Sequence, residues 1–141
     1  MDYDITRVLD WHENGNKVLL KGFNQGQDYL LEWSINKDAI TQLNDSKVIQ
    51  AFYQNDSLCL LFANEFNCAP NLKWQPKNET IYDAFKVQKG FIVVTRARTG
   101  QYYYIINNGF THIMKHNFPK SMFHLTGVSK KLNHLYFFKR N

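Results

Sequence analysis

The chain has 141 residues, 44% of them hydrophobic and 16% aromatic, with 17 Lys and Arg against 12 Asp and Glu for a net charge of +5. That composition excludes a disordered chain, and the length suffices for one buried core. No apolar run approaches the roughly 20 residues of a membrane helix, and the N-terminus, MDYDITRVLDW, lacks the pattern of a secretory leader, so a cytoplasmic protein without a membrane span is expected.

Taken in chain order, residues 5–11 form a β-branched, apolar run that leads into Glu13-Asn14-Gly15-Asn16. Asn-Gly between apolar runs signals a tight hairpin, because both turn positions need positive φ. Strands follow over 17–23, 28–35 and 39–43, with turns at Gln25-Gly26 and Asn36-Lys37-Asp38. A second set takes 47–54, 58–63 and 71–75, with Asn55-Asp56 as its first turn, Pro70 opening the third strand and Pro76 closing it. Its fourth strand is compressed to 80–81 and runs straight into 82–87. The third set continues through Ile92-Val93-Val94, the turn at Gly100-Gln101, 102–106, the turn at Asn107-Asn108-Gly109, and 110–115. Strands over 122–128 and 135–139 begin a fourth, and no segment shows helical periodicity over ten residues.

These sets repeat. Shifted by 41 residues, 8–44 align on 49–85 without a gap: Asn14 on Asn55, Leu19-Leu20 on Leu60-Leu61, Leu31 on Leu72, Trp33 on Trp74 and Ile40 on Ile81. At an offset of 74, Val18-Leu19-Leu20 meets Ile92-Val93-Val94. A period near 40 marks an array of supersecondary units. The expected fold is all-β: one domain over 1–141, an antiparallel meander of about 12–14 short strands in repeat units of about 5–44, 47–81, 82–115 and 122–141. A propeller-like array is the first reading and an up-and-down β-barrel the alternative.

Residues 8–43 (VLDWHENGNKVLLKGFNQGQDYLLEWSINKDAITQL) resemble one blade of a β-propeller, similar in layout to the WD-repeat and TolB-like families. Asn14-Gly15 stands at the tight first turn and Trp33 at the end of the third strand. Trp33 is followed by Ser34 and Trp74 by Gln75, so neither repeat carries the WD dipeptide, Asn107 stands where a third Trp belongs, and no Gly-His pair is present. The resemblance implies a shape and a habit of binding, with no catalytic residue. It covers about three and a half blades, whereas propellers close with about four to eight, and an unclosed array exposes strand edges that invite another chain.

Charge is the second signal. Residues 1–70 hold ten acids against five Lys and Arg, and residues 71–141 hold two against twelve. Such asymmetry points to an anionic partner. The candidate binding residues are Arg96, Arg98, Tyr103, Lys115, Lys120, Lys130, Lys131 and Arg140. The leading function is a non-catalytic protein-binding module that forms a homo-oligomer through acidic and basic halves, or binds another protein. Nucleic-acid binding is the alternative, with bases stacked on aromatic side chains and phosphates held by cations. A carrier of a small apolar ligand in a β-barrel is third.

Cys59 is expected as a buried thiol, because a bond to Cys68 does not suit a reducing cytoplasm. His112 and His116 are four apart, but the usual four-ligand zinc spacing is absent. The clustered acids Asp2, Asp4 and Asp10 read as a solvated terminus. No phosphate-cradling glycine loop and no GxSxG elbow occur. No metal, cofactor or catalytic residue is assigned, and an enzyme is not expected.

Overall fold

A computed structural model describes residues 2–44, 47–119, 122–129 and 134–139. Among these residues there are fourteen strands and no helix. The first sheet contains β1 (Asp4–Trp11), β2 (Lys17–Asn24), β3 (Gln27–Ser34) and β4 (Ala39–Asn44) in chain order. The second runs β5 (Gln50–Gln54), β6 (Ser57–Leu61), β7 (Phe66–Cys68), β8 (Leu72–Trp74), and the third β9 (Thr80–Val87), β10 (Gly90–Ala97), β11 (Gly100–Asn107), β12 (Ile113–Asn117). A hairpin of β13 (Met122–Val128) and β14 (Leu135–Lys139) ends the chain. Every registered pair is antiparallel between sequence neighbours. The meander is therefore divided into four separate open sheets, and no single sheet closes into the up-and-down barrel held as the alternative.

The chain separates into two compact units, Met1–Phe62 with Phe66–Asn71 and Ala63–Glu65 with Leu72–Asn141. In the first unit, Leu19 and Leu30 pack with Val48, Ala51 and Tyr53, joined by Leu9, Leu43, Leu58, Leu60 and Phe62. Val18, Leu20 and Leu31, on the opposite face of the first sheet, form a second cluster with Tyr3, Tyr29, Trp33 and Ile35. Strand β2 thus buries three consecutive apolar residues, because alternate side chains leave on opposite faces and both faces are covered. Each such leucine contributes about 1.5–3 kcal/mol by leaving water.

In the second unit, β10 is buried from Gly90 to Thr95. Ile92 and Val94 meet Leu125 on one face, where the β13–β14 hairpin adds Val128, Leu135 and Phe137. Phe91, Val93 and Thr95 alternate onto the other face and are fully buried.

The tight turns differ in kind from the expected Asn-Gly hairpin. Asn14-Gly15 lies in a wider loop closed by His12 N–H to Lys17 O at 2.9 Å, and the Asn14 side chain accepts from Asn16 N–H at 2.8 Å. Two successive positive φ values fall instead at Gln25 and Gly26, the two-residue link between Asn24 and its partner Gln27.

The second repeat also departs from its expected strands. Strand β7 pairs Cys59 with Cys68, Leu60 with Asn67 and Leu61 with Phe66, so residues 66–68 take third place and residues 72–74 fourth. Burial decides this, since Phe66 and Cys68 are inaccessible to solvent. Pro70 lies in the turn between β7 and β8 and opens no strand; the Ala69–Pro70 bond is cis. Thr80 and Ile81 belong to the uninterrupted strand β9 of the next sheet. Trp74 consequently ends a fourth strand while Trp33 sits in a third, so the gapless alignment marks equivalent positions only through β6. Likewise Cys59 and Cys68 form a disulfide, not buried free thiols, because facing positions of β6 and β7 bring their Cα atoms to 4.0 Å.

Candidate functional site

The densest polar arrangement lies in the second unit around Glu79, just before β9. Its side chain is only 5% exposed. Oε1 accepts from Thr95 Oγ1 at 2.6 Å and from the Tyr104 hydroxyl at 2.7 Å, while Oε2 takes Lys115 Nζ at 2.5 Å. Strand register brings these donors together. Thr95 lies in β10, Tyr104 opposite Val93 in β11, and Lys115 opposite Tyr104 in β12. The Lys115 ammonium also stands 4.0 Å above the Tyr102 ring and 5.8 Å from that of Tyr104. Trp74 packs against Tyr104 with ring centroids 4.6 Å apart, and Thr99 Oγ1 shares a 2.5 Å hydrogen bond with the Tyr102 hydroxyl.

This geometry sets protonation states. Burial pushes the Glu79 carboxyl up, but hydrogen bonds from Lys115, Thr95 and Tyr104 outweigh it and hold the group below its ordinary value. The hydrogen bond to Glu79 raises Lys115, against partial desolvation. Burial, then donation to Glu79, raises Tyr104 to about 12. Glu79 is therefore an acceptor fixed in its ionised form and Lys115 a fixed cation. Neither is poised to exchange a proton near neutral pH.

A smaller cluster surrounds Tyr82. Strand β9 skips a residue between the pairs Val94–Asp83 and Thr95–Ile81, leaving Tyr82 as the extra residue of a bulge. Its hydroxyl donates to Gln101 Oε1 at 2.7 Å, and the Arg96 guanidinium lies 4.8 Å from its ring centroid. Burial raises its pKa, with Arg96 opposing. The first unit has an acidic counterpart. Asp10 Oδ2 accepts from Tyr53 N–H at 2.8 Å, and the Tyr53 hydroxyl donates to Glu32 Oε2 at 2.7 Å. Burial, followed by that bond, raises Tyr53 strongly. His12 Nε2 lies 3.0 Å from Asp56 Oδ1. Asp10 is therefore built into the unit, in contrast to the solvated terminus expected of it.

The expected binding residues fall in different places. Lys115 is in the Glu79 cluster, Arg96 covers Tyr82, and Arg98 is exposed in the turn between β10 and β11. Tyr103 points to the other face of β11, stacked on His116 at 4.9 Å and 14° and beside Phe118 and Phe137. Lys120, Lys130, Lys131 and Arg140 lie outside the described residues. Glu79, Thr95 and Tyr104 were not singled out from sequence. The available signal was Glu79 itself, one of only two acids after residue 70.

His112 N–H donates to Asn107 Oδ1 at 2.9 Å in the loop before β12, and Cys68 is committed to its disulfide. Among the described residues, no group of three or more His, Cys, Asp or Glu is placed to hold a metal ion, and no helix is long and apolar enough to cross a membrane. No protein-family model, no curated protein and no solved structure matches this chain.

Proposed function

We propose that the chain is a non-catalytic interaction module of propeller-like β repeats that associates with itself, the acidic unit of one copy against the basic unit of another. The observation that carries this reading is the coincidence of two divisions. The first compact unit holds nine acids against five Lys and Arg, a net of −4; the second holds three against twelve, a net of +9. The two net charges are of opposite sign. Asp2, Asp4, Glu13 and Asp28 are exposed without a cation partner among the described residues, as Lys77, Lys89 and Arg98 are without a carboxylate. Complementary surfaces of this kind accelerate and orient association. The four-stranded meanders, each in chain order, support the blade-like part of the reading.

Nucleic-acid binding draws on the same +9 unit and on Arg98 at its hairpin tip. The tyrosines near it argue the other way: Tyr82 lies under Arg96, Tyr102 under Lys115, Tyr103 against His116, and Tyr104 against Trp74. A base that stacked on them would have to displace a packed neighbour. The test is the solution mass of the purified chain by light scattering at about 0.01 M and about 1 M salt, where the screening length falls from about 30 to about 3 Å. Assembly at low salt that dissociates at high salt supports the reading. A single chain at low salt that binds random DNA with a steep salt slope replaces it with the alternative.

A further inference from the structure

Two connections carry an exposed asparagine followed two residues later by a hydroxyl. Asn55 opens the two-residue link between Gln54 of β5 and its partner Ser57 of β6. Asn78 lies between β8 and β9, two residues before Thr80. The triplets are Asn55-Asp56-Ser57 and Asn78-Glu79-Thr80, neither with proline in the middle. Both asparagines are exposed, with φ of 55° and 58°. Asparagine is enriched among residues that adopt this left-handed backbone. That accounts for the residue type, but it asks nothing of the amide or of the hydroxyl that follows.

Other turn asparagines put their side chains to structural use. Asn14 Oδ1 accepts from Asn16 N–H at 2.8 Å. Asn107 Oδ1 accepts from the N–H groups of Thr111 and His112 at 2.8 and 2.9 Å, and its amide donates to Thr111 Oγ1 at 2.7 Å. By contrast, the side chains of Asn55, Ser57, Asn78 and Thr80 make no hydrogen bond among the described residues. Beside Asn55, the Asp56 side chain is 98% exposed, so this turn projects into water.

We infer that Asn55 and Asn78 are acceptor sites for N-linked glycans, attached as the chain matures in an oxidising compartment. Asn-x-Ser/Thr on an exposed turn is the acceptor pattern of a secreted protein. The disulfide supports the compartment independently of the triplets. Cys59 and Cys68 are joined at facing positions of β6 and β7 and are almost fully buried. Such bonds form and persist in oxidising compartments and are rare in the reducing cytoplasm expected from the sequence. In the transfer, the asparagine amide nitrogen bonds to the anomeric carbon of a lipid-linked oligosaccharide diphosphate. The carbon–oxygen bond to the diphosphate breaks, the lipid diphosphate leaves with the electron pair, and one amide proton passes to the transferase. Each compact unit carries one site, Asn55 on the first and Asn78 on the second. A glycan is bulky and solubilising, so each keeps its own turn clear of a second copy. A third triplet, Asn44-Asp45-Ser46, runs outside the described residues and is not assigned.

The experiment takes the full chain from the cells that produce it, quenched in denaturant with a thiol-alkylating reagent. Its mass exceeds the 16.7 kDa of the bare chain, and no cysteine is alkylated until reductant is added. A glycosidase that cleaves the sugar from the asparagine amide removes the excess and leaves aspartate at positions 55 and 78. Ser57→Ala removes the glycan of Asn55 and spares that of Asn78, and Thr80→Ala does the reverse. Both variants delete hydroxyls without a partner, so circular dichroism shows an unchanged β spectrum. Asparagine retained at either position in the treated wild-type chain, or a glycan that survives loss of its hydroxyl, overturns that site. A chain of bare mass, or one whose cysteines alkylate without reductant, overturns the inference as a whole and leaves charge-driven self-association standing.

Discussion

Replacing Glu79 by Gln tests whether the buried carboxylate organises the second unit. The two oxygens have different duties: Oε1 accepts from Thr95 and Tyr104, and Oε2 from Lys115. A glutamine oxygen at the first position keeps two bonds but reduces them from charge-assisted to neutral. Its amide nitrogen at the second position presents donors to an ammonium that has none to accept. Lys115 is 45% exposed and can turn to water, so its share is small, about 0.2–1 kcal/mol as for other solvent-facing pairs. Charged hydrogen bonds contribute about 1.5–3 kcal/mol against about 0.5–1.5 for neutral ones, so weakening two of them brings the total loss to about 2–3 kcal/mol. Glu79→Ala costs more, about 4 kcal/mol, because two hydroxyls lose their acceptor, that of fully buried Thr95 included.

Urea unfolding across pH separates this from a packing defect. Glu79 is held below its ordinary value of 4.5, so its contribution is fully present above that pH and is lost as the pH falls through the lower folded-state value. The deficit of Glu79→Gln is therefore constant at neutral pH and narrows on acidification below the Glu79 carboxyl's ordinary value of 4.5. A deficit below about 0.5 kcal/mol at neutral pH, or one unchanged at low pH, refutes the assignment.

Three further outcomes follow from other parts of the fold. A Cβ at Gly90 would stand 2.0 Å from Ile106 O and 2.8 Å from Asn107 Cα, both backbone, so Gly90→Ala forces β10 and β11 apart and costs more than about 3 kcal/mol; a thermal midpoint within about 2 °C of wild type contradicts that contact. The Cys59–Cys68 bond closes a short loop of sequence separation 9, which by chain entropy contributes about 2.5–3 kcal/mol; reductant should lower wild-type stability by that amount and leave the double alanine variant unchanged. Tyr53→Phe removes the bond to Glu32 and costs about 1–2 kcal/mol. Because burial raises Tyr53 above its ordinary value of 10.0, that advantage is present below pH 10.0 and lost as the pH rises beyond it, so melts of wild type and variant should converge in strong base.

What the sequence disclosed depended on whether the deciding interactions were local. Residues 5–43 announce four strands because the apolar runs are long and turn residues separate them, and β1–β4 fall within a residue or two of those bounds. Strands β7 and β8 have three residues each, too few for a period to show, and their order was settled by the burial of Phe66 and the Cys59–Cys68 pairing. The matched tryptophans misled there, since identity at a fixed offset persisted across a change of strand. The Glu79 cluster joins residues 16, 25 and 36 positions apart, and no window of sequence contains it. That Ile5, Val8 and Trp11 share one face of β1 is legible only through register, because two bulges turn a helix-like spacing of three into one strand face.

The charge division has a different origin from the frame. Packing fixes the core positions of both units, and it asks nothing of the sign of their exposed residues. Some of the ions of minority sign are enlisted in pairs within their own unit. In the basic unit Glu65 holds Lys73 at 3.1 Å and Glu79 holds Lys115, while in the acidic unit Lys17 reaches Glu32 at 4.0 Å. The net charge left is negative on one unit and positive on the other. Unneutralised like charge destabilises a compact unit by self-repulsion. Its concentration is therefore a cost to each unit taken by itself. Under the self-association proposed above, a neighbouring copy would offset it, its basic unit set against the acidic unit of the first.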